Sequence, residues 1–386
     1  MLHRFKIQNL YGLYSYDLCF SSTQEHITFI TGPNGYGKTT ILKIIDAIYS
    51  LQFADLLTIR FEFIEMQIDK CIINVQQKIK IEDVADGVDF VNNPDVEMIL
   101  NINLPGGVRY QDTLATSKEN KFDTLFGVLL SAYIRSRKKY FISDQRCIAH
   151  TWRGGNDQME GDVDKNAKAL RKLLEQNHIV PPIFSLQEEE PIDELSYNRA
   201  RLDVVQEIRA WSSYGVIDFN EKMVRTYTTE EAPYLRHYIK RWKDELNAHN
   251  LLLRKLKLFE AIIQDADFAN KKMFIHEKYG YQFVMNDKDK TIIDNSSLSS
   301  GEQHLLIQFY QLLFNADKEE MLFLVDEPEL SMHMYWQTRY LNNLKKISEL
   351  RSLQCIIATH SPSIFNNQWD KTIDLFEKFH SDDFNK

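Results

Sequence analysis

The stretch that most restricts the fold of this chain is GPNGYGKT, residues 32–39. It follows a short apolar segment, HITFIT at 26–31, and it precedes a run with helical apolar spacing from Thr39 to about Leu51. A strand that leads through a glycine-rich loop into a helix gathers backbone N–H groups at the positive end of that helix. Such a loop binds phosphate groups, so the sequence predicts a nucleoside triphosphate site in an α/β domain.

The individual positions of the loop have distinct predicted roles. Lys38 would reach the β- and γ-phosphates, and the hydroxyl of Thr39 would bind magnesium. The glycines allow the backbone to approach the phosphate oxygens closely. The predicted nucleotide-binding residues are Gly32, Pro33, Asn34, Gly35, Tyr36, Gly37, Lys38, Thr39 and Thr40.

A second apolar strand, MLFLV at 321–325, ends in Asp326 and Glu327. A turn at the end of this strand would bring both carboxylates to the nucleotide. We predict that Asp326 holds magnesium through water and that Glu327 is the general base for the attacking water. His360, in ATHSP after a further apolar strand, is predicted to sense the γ-phosphate; a buried core histidine is the alternative.

Strand, helix and strand alternate near both ends of the sequence, which predicts one parallel sheet built from both ends of the chain. Between these ends lie alternating apolar segments from 60 to 104, typical of a β-rich lobe, and then mainly helical patterns. The predicted divisions are 1–150, the first part of the α/β domain with the β-rich insertion; 151–272, a mainly helical insertion with a possible short hairpin; and 273–386, the second part of the α/β domain.

The cysteines and the apolar runs indicate the compartment. Cys19, Cys71, Cys147 and Cys355 form no CxxC pair, so neither a zinc site nor a disulfide framework is predicted. No apolar run approaches the roughly 20 residues that span a bilayer, and the first residues lack the apolar centre of a signal peptide. We therefore expect a cytoplasmic protein with reduced thiols and no membrane partner.

The formal net charge of −9 disfavours a dedicated nucleic-acid-binding domain, which is usually basic. Two local basic stretches exist, IRSRKKY at 134–140 and a predicted helix. The helix carries Arg236, Lys240, Arg241, Lys243, Arg254, Lys255 and Lys257. Because Glu245 and Glu260 interrupt the second stretch, a solvated helix face is the favoured interpretation.

This chain resembles the ABC-type ATPases, because its motifs stand in the order found in that family: the phosphate loop, SDQR, LSSGEQ, VDEPELS and THS. The resemblance implies that Gln145 couples magnesium and the attacking water to the neighbouring lobe, and that His360 is the switch histidine. It implies that ELSMH, residues 329–333, is a D-loop that crosses a dimer interface. The signature segment, LSSGEQ, would bind the γ-phosphate of a nucleotide held by another subunit through Ser299, Ser300, Gly301 and Glu302.

The loop form, the long insertion and the signature resemble the RecF, SMC and OLD branch, and residues 298–370 resemble the PtuA-type ATPases of Septu and retron-associated anti-phage defence. The resemblance implies an ABC-type P-loop ATPase head with a mixed and parallel sheet, flanking helices, an inserted β-rich lobe and a helical subdomain. ATP and Mg²⁺ would be its cofactors. A homodimer with ATP between the copies is implied, and a higher homo-oligomer is left open.

No nuclease motif of the Toprim type follows His360, so we expect any nuclease to be a separate polypeptide, of HNH type by resemblance. The implied function is an ATPase that senses infection and regulates this nuclease through head dimerisation. The alternatives are a RecF-like DNA repair ATPase, with DNA as partner, and a scaffold that binds ATP without turnover. Tyr11, Tyr14 and Tyr16 are candidates for stacking on adenine, and the sequence does not choose among them.

Overall fold

A computed structural model describes residues 1–20, 26–78, 96–115, 138–142, 162–314, 321–330 and 332–383. The chain forms two compact units. The first combines Met1–Arg146 with Ala316–Lys386, and the second is Cys147–Asn315. The domain boundaries predicted from the sequence stay a prediction.

The elements are numbered along the chain. The strands are β1 Leu2–Leu10, β2 Tyr14–Cys19, β3 Ile27–Thr31, β4 Phe63–Ile68, β5 Cys71–Lys78, β6 Glu97–Asn103, β7 Arg109–Ala115, β8 Lys138–Ile142, β9 Lys271–His276, β10 Gly280–Met285, β11 Ile292–Ile293, β12 Met321–Asp326, β13 Leu353–Ala358 and β14 Thr372–Asp374. The helices are α1 Lys38–Tyr49, α2 Asp162–Gln176, α3 Glu194–Ser212, α4 Ala232–Asp265, α5 Ser300–Phe314, α6 Met334–Ser348 and α7 Leu375–Asp383.

A parallel five-stranded sheet forms the centre of the first unit, in the order β14–β3–β13–β12–β8. All residues of β3 and β13 are buried, as expected for strands covered on both faces. The apolar positions predicted for the helix after the phosphate loop are buried in α1, which packs against β8, β12 and β13. In a parallel sheet the carboxyl ends of the strands share one edge, so the segments after β3, β12 and β13 come together.

A second sheet of the first unit is antiparallel, in the order β2–β1–β4–β5–β6–β7. Burial alternates along β4, β5 and β6, so one face of each strand lies in the core. The segments predicted as a β-rich lobe therefore do not form a sheet of their own. They extend the hairpin of β1 and β2, because β1 pairs with β4.

Among its described residues, 162–314, the second unit has four α-helices and a three-stranded antiparallel sheet, β11–β10–β9. The 34-residue helix α4 packs against α3, α5 and β9. Its buried side chains, which include Trp242 and Phe259, follow the helical spacing seen in the sequence. In the sheet, β10 pairs antiparallel with β9 on one side and with β11 on the other.

The fold class predicted from the sequence is confirmed: the chain has a mixed α/β architecture with a parallel sheet, antiparallel sheets and flanking helices. Within the described part of the chain, every helix is too short or too polar to cross a bilayer.

Candidate functional site

Three strand ends assemble the site in the first unit. The phosphate loop follows β3, Glu327 follows β12, and Thr359 and His360 follow β13, which lies between the other two strands. Backbone hydrogen bonds continue past the sheet. The N–H of Glu327 donates to the Ala358 carbonyl at 2.8 Å, and the N–H of Thr359 donates to the Ile30 carbonyl at 3.1 Å. The strand order therefore brings the three predicted motifs to one edge.

The phosphate loop has the backbone form that its glycines permit. Gly35 and Gly37 have φ values of 88° and 86°, in the left-handed region. Gly37 is the N-cap of α1, and this helix end has neither a side-chain cap nor an acidic residue in its first turn. A Cβ atom on Gly37 would lie 3.1 Å from Leu10 Cδ2. The first N–H groups of α1 are thus oriented for an anion that approaches along the helix axis.

Lys38 is a buried cation at the start of α1. Its Nζ donates to the carbonyl oxygens of Gly32 at 2.7 Å and Pro33 at 3.1 Å, so the side chain folds back over its own loop. Burial lowers the pKa of Lys38, and the nearby carboxylates of Glu327 and Asp326 oppose this shift. A desolvated ammonium group bound to two neutral carbonyls fits the phosphate of a nucleoside triphosphate, which is a stronger acceptor.

Asp326 and Glu327 leave the end of β12 in different conformations. Asp326 completes the strand and is buried, with 3% of its surface exposed. Glu327 has a φ of 46°, which is rare for a residue with a Cβ atom and costs of the order of 1–3 kcal/mol. The predicted turn at the strand end is present at this residue. The carboxylate of Asp326 and the hydroxyl of Thr39 are hard oxygen ligands, the kind that Mg²⁺ prefers, so these residues fit a magnesium site.

His360 is half-exposed, with 47% of its side chain accessible, so the alternative of a buried core histidine does not apply. Its Nδ1 lies 3.6 Å from Glu327 Oε1 and 3.6 Å from Glu329 Oε1. The imidazole therefore stands beside the carboxylate predicted to be the general base, with part of its ring open to a ligand.

Glu329 is a site residue that the sequence interpretation placed in the D-loop without a role of its own. Its buried carboxylate accepts hydrogen bonds at Oε1 from Thr359 Oγ1 at 2.7 Å and from the His360 N–H at 3.0 Å. It thus ties the turn after β12 to the segment that carries His360. The signal available in the sequence was a third carboxylate in DEPE, with a threonine directly before the histidine.

Replacing Glu329 by alanine is expected to lower the free energy of unfolding by about 1–3 kcal/mol, because the buried Thr359 hydroxyl and the part-buried His360 N–H lose their acceptor. It should also lower ATP turnover, since His360 loses its backbone anchor. Thermal unfolding and hydrogen exchange at the His360 amide measure the two effects. Glu349→Ala, at the exposed end of α6, is the matched control. Unchanged stability and unchanged exchange at His360 would refute this role.

The signature segment lies in the second unit, at the start of α5. The Ser299 N–H donates to Glu302 Oε2 at 2.8 Å, and the Glu302 N–H donates to Ser299 Oγ at 3.3 Å, which is a capping box. Lys271 Nζ donates to both oxygens of the Glu302 carboxylate, at 2.8 and 3.1 Å. Glu302 is buried, so its carboxylate holds the helix start rather than facing solvent.

Two residues of the signature face solvent. Ser299 and Ser300 are exposed, whereas Gly301 is buried. As an acceptor in the capping box, the Ser299 hydroxyl still has its proton to donate. Exposed hydroxyls at the N-terminus of a 15-residue helix suit an anion, as the resemblance implies.

Other predicted residues are placed only in part. Gln145 and Ser331 lie outside the described residues. Among the tyrosines considered for adenine, Tyr11 is 46% exposed, and its hydroxyl lies 3.2 Å from Thr40 Oγ1. Tyr16 is buried and donates to the Tyr36 carbonyl at 2.9 Å.

The family model AAA_15, described as AAA ATPase domain, matches residues 1–365. The sequence has no significant match among curated proteins.

Two solved structures are similar over most of their length. One is the SmcHead bound to the C-winged helix domain of ScpA, which is 15% identical with a TM-score of 0.39. The other is the Smc head domain with an extended coiled coil bound to the C-terminal domain of ScpA, derived from Pyrococcus furiosus, which is 13% identical with a TM-score of 0.41. Each comparison covers 95% of this chain and 91% of the other chain. Similarity at this level assigns no role to any residue of this chain.

Because the family model spans 365 of the 386 residues, the chain belongs to the AAA ATPase domain family.

Proposed function

We propose that this protein binds and hydrolyses ATP at sites that a second copy of the chain completes. The observation that carries the proposal is the convergence of Lys38, Glu327 and His360 at one edge of the parallel sheet. These are a cation for the phosphates, a carboxylate for the attacking water and a donor for the γ-phosphate. Phosphoryl transfer needs mainly such positioning and charge stabilisation.

In this proposal each residue of the first unit has one task. The N–H groups of the phosphate loop and Lys38 bind the β- and γ-phosphates. Thr39, Asp326 and Gln145 would hold Mg²⁺, and the bound ion would supply positive charge to the phosphate oxygens. Glu327 accepts a hydrogen bond from the attacking water and aligns it with the γ-phosphate. His360 donates to the γ-phosphate from the side of Glu327.

The signature supplies the remaining donors from the other copy. Ser299 and Ser300, with the first N–H groups of α5, would bind the γ-phosphate held by the partner. In a symmetric dimer this contact occurs twice, because each copy contributes one phosphate loop to one site and one signature segment to the other. ATP then favours the closed dimer and hydrolysis removes that preference, which gives a two-state switch.

The dependence of turnover on protein concentration tests the composite site. We expect the rate per chain to rise with concentration until the dimer is saturated. Sedimentation with and without ATP reports the dimer directly. A rate per chain that is full and constant in a dilute monomer would contradict the proposal.

We further propose that the switch regulates a separate nuclease of HNH type in an anti-phage defence system. The support for this finer role is the resemblance of residues 298–370 to PtuA-type ATPases. The first test is whether the gene beside this one encodes an HNH nuclease; the second is co-expression with that nuclease, followed by affinity purification with and without ATP. A nuclease that never co-purifies, or activity of the nuclease that ignores ATP, would count against this role.

A RecF-like DNA ATPase is the second candidate, and one face of α4 favours it. Arg236, Lys240, Lys243, Asn247 and Arg254 are exposed at helical spacing along this helix. All five side chains carry N–H donors, and the first and last are separated by about 27 Å at 1.5 Å per residue. This row of donors, the α4 donor face, suits a phosphate backbone.

The two glutamates that interrupt the basic stretch in the sequence have hydrogen-bond partners from other segments of the chain. Glu245 lies 3.4 Å from the Val180 N–H and 3.8 Å from His249 Nε2. Glu260 accepts from the Tyr214 hydroxyl at 3.1 Å. Each of these carboxylates thus has a partner outside α4, whereas the five side chains of the α4 donor face are exposed to solvent, with the exposed Asp244 next to Lys243 in the sequence.

DNA binding separates the two candidates. The double variant Lys240→Glu/Lys243→Glu should weaken DNA binding. It should also make the plot of log binding constant against log salt concentration less steep, by the amount expected for the loss of about two phosphate contacts. The matched control is Lys288→Glu/Lys290→Glu, in the exposed turn before β11. If DNA neither binds with this salt dependence nor stimulates turnover, the RecF-like candidate fails and the nuclease regulator is retained.

A further inference from the structure

Tyr36, inside the phosphate loop, is part of an aromatic cluster with α7. Its ring centroid lies 5.7 Å from that of Phe376 and 6.2 Å from that of Phe379. Tyr14 of β2 completes the cluster, at 5.5 Å from Tyr36 and 5.3 Å from Phe379. The loop that would bind phosphate is thus in contact with a helix more than 330 residues later in the sequence.

The pairing of β14 with β3 places the start of α7 beside the phosphate loop. Strand β14 pairs in parallel with β3, and Asp374 is aligned with Thr31, the last residue before the loop. Helix α7 therefore begins beside the first residue of the loop. A Cβ atom on Gly32 would lie 3.4 Å from Leu375 Cβ. Both β14 and α7 follow the part of the chain that the family model matches.

The phosphate loop needs external support because three of its residues are glycines. Glycine loses more conformational freedom on ordering than any other residue, so an unsupported loop would lose affinity when phosphate fixes it. A loop held in its binding form before the ligand arrives avoids that loss. Tyr36 is the large side chain of the loop, and aromatic contacts hold it at the ring while Tyr16 binds its carbonyl.

We propose that Phe376 and Phe379 are positioning residues for ATP binding: through Tyr36 they hold the phosphate loop in its binding form. This inference rests on the proposed ATP site. Phe376 is 42% exposed, so burial in the core does not account for its large apolar side chain, and its ring contacts Tyr36 of the loop. The neighbouring Leu375, in contrast, is fully buried.

The test is the ATP dissociation constant of Phe376→Ala and Phe379→Ala, measured by calorimetry alongside turnover at saturating ATP. An aromatic contact of this kind predicts a dissociation constant about two- to tenfold higher, with the saturated rate unchanged. Adding Tyr36→Ala to Phe379→Ala should weaken binding no further than Tyr36→Ala alone, because the two rings act through one contact. Phe379→Tyr keeps the ring and should restore affinity.

Trp369→Ala is the matched control. Trp369 is an exposed aromatic residue in the same part of the chain, and it packs on Phe365 at 4.9 Å rather than on Tyr36. Its replacement should leave ATP affinity unchanged. If Trp369→Ala weakens ATP binding as much as Phe379→Ala does, or if the effects of Tyr36→Ala and Phe379→Ala simply add, the proposed positioning role is wrong.

Lys38→Ala separates this inference from the proposed function. Loss of ATP binding in Lys38→Ala, with wild-type affinity in Phe376→Ala and Phe379→Ala, would overturn only the positioning role. Wild-type ATP affinity in Lys38→Ala would overturn the ATP site itself.

Discussion

Glu327→Gln is expected to lower ATP turnover by about two to four orders of magnitude, the range for loss of a general base. Glutamine keeps the size of the side chain but cannot accept the proton of the attacking water. ATP binding should persist, because Lys38 and the phosphate loop are unchanged. The variant should therefore accumulate as a closed, ATP-bound dimer. Phosphate release measures the first effect and sedimentation in ATP measures the second.

Glu349→Gln, the same exchange at the exposed end of α6, is the matched control and should retain wild-type turnover. Turnover that survives in Glu327→Gln would remove Glu327 from the role of base. If wild type and Glu327→Gln share the same negligible rate, the scaffold that binds ATP without turnover is the better account.

The residues that the sequence identified most readily are those whose neighbours in the chain define their environment. Lys38 follows a strand and a glycine-rich loop and opens a helix, so its local sequence places it at the positive end of that helix. The position of Asp326 and Glu327 is likewise defined by the apolar strand residues directly before them in the sequence. Because carboxyl ends of parallel strands share an edge, local patterns were enough to predict that these residues meet.

Glu329 could not be assigned in this way, because its partners depend on strand order. Thr359 and His360 are 30 and 31 residues away in sequence, and they reach Glu329 only because β13 lies directly beside β12. Helical spacing also could not show which way Glu245 and Glu260 face. Their partners Val180 and Tyr214 are 65 and 46 residues away.

The β-rich segments show the same limit at the level of a whole sheet. Alternating burial in β4, β5 and β6 was readable, since it has a period of two residues. The pairing of β1 with β4, which joins Phe5 to Met66, is a contact between distant segments. Sequence periodicity fixes the face that a strand buries but not the neighbour that it joins.

Mixing two inactive variants is expected to restore ATP turnover to roughly a quarter of the wild-type rate, if each dimer has two equivalent sites built from both copies. Lys38→Ala removes the phosphate cation. Ser300→Glu places a carboxylate on the exposed N-terminal residue of α5, where it would repel the γ-phosphate of the partner. A random mixture contains half heterodimers, and each heterodimer has one site with both Lys38 and Ser300 intact.

Ser300→Glu is suited to this test because a negative charge in the first turn stabilises a helix, so loss of activity cannot be ascribed to a weakened α5. Thermal unfolding should show unchanged or higher stability for this variant. Lys38→Ala mixed with the double variant Lys38→Ala/Ser300→Glu contains no intact pair and should stay inactive. Full turnover of Ser300→Glu alone, or no recovery when the two single variants form heterodimers, would mean that the signature does not complete the site of a second copy.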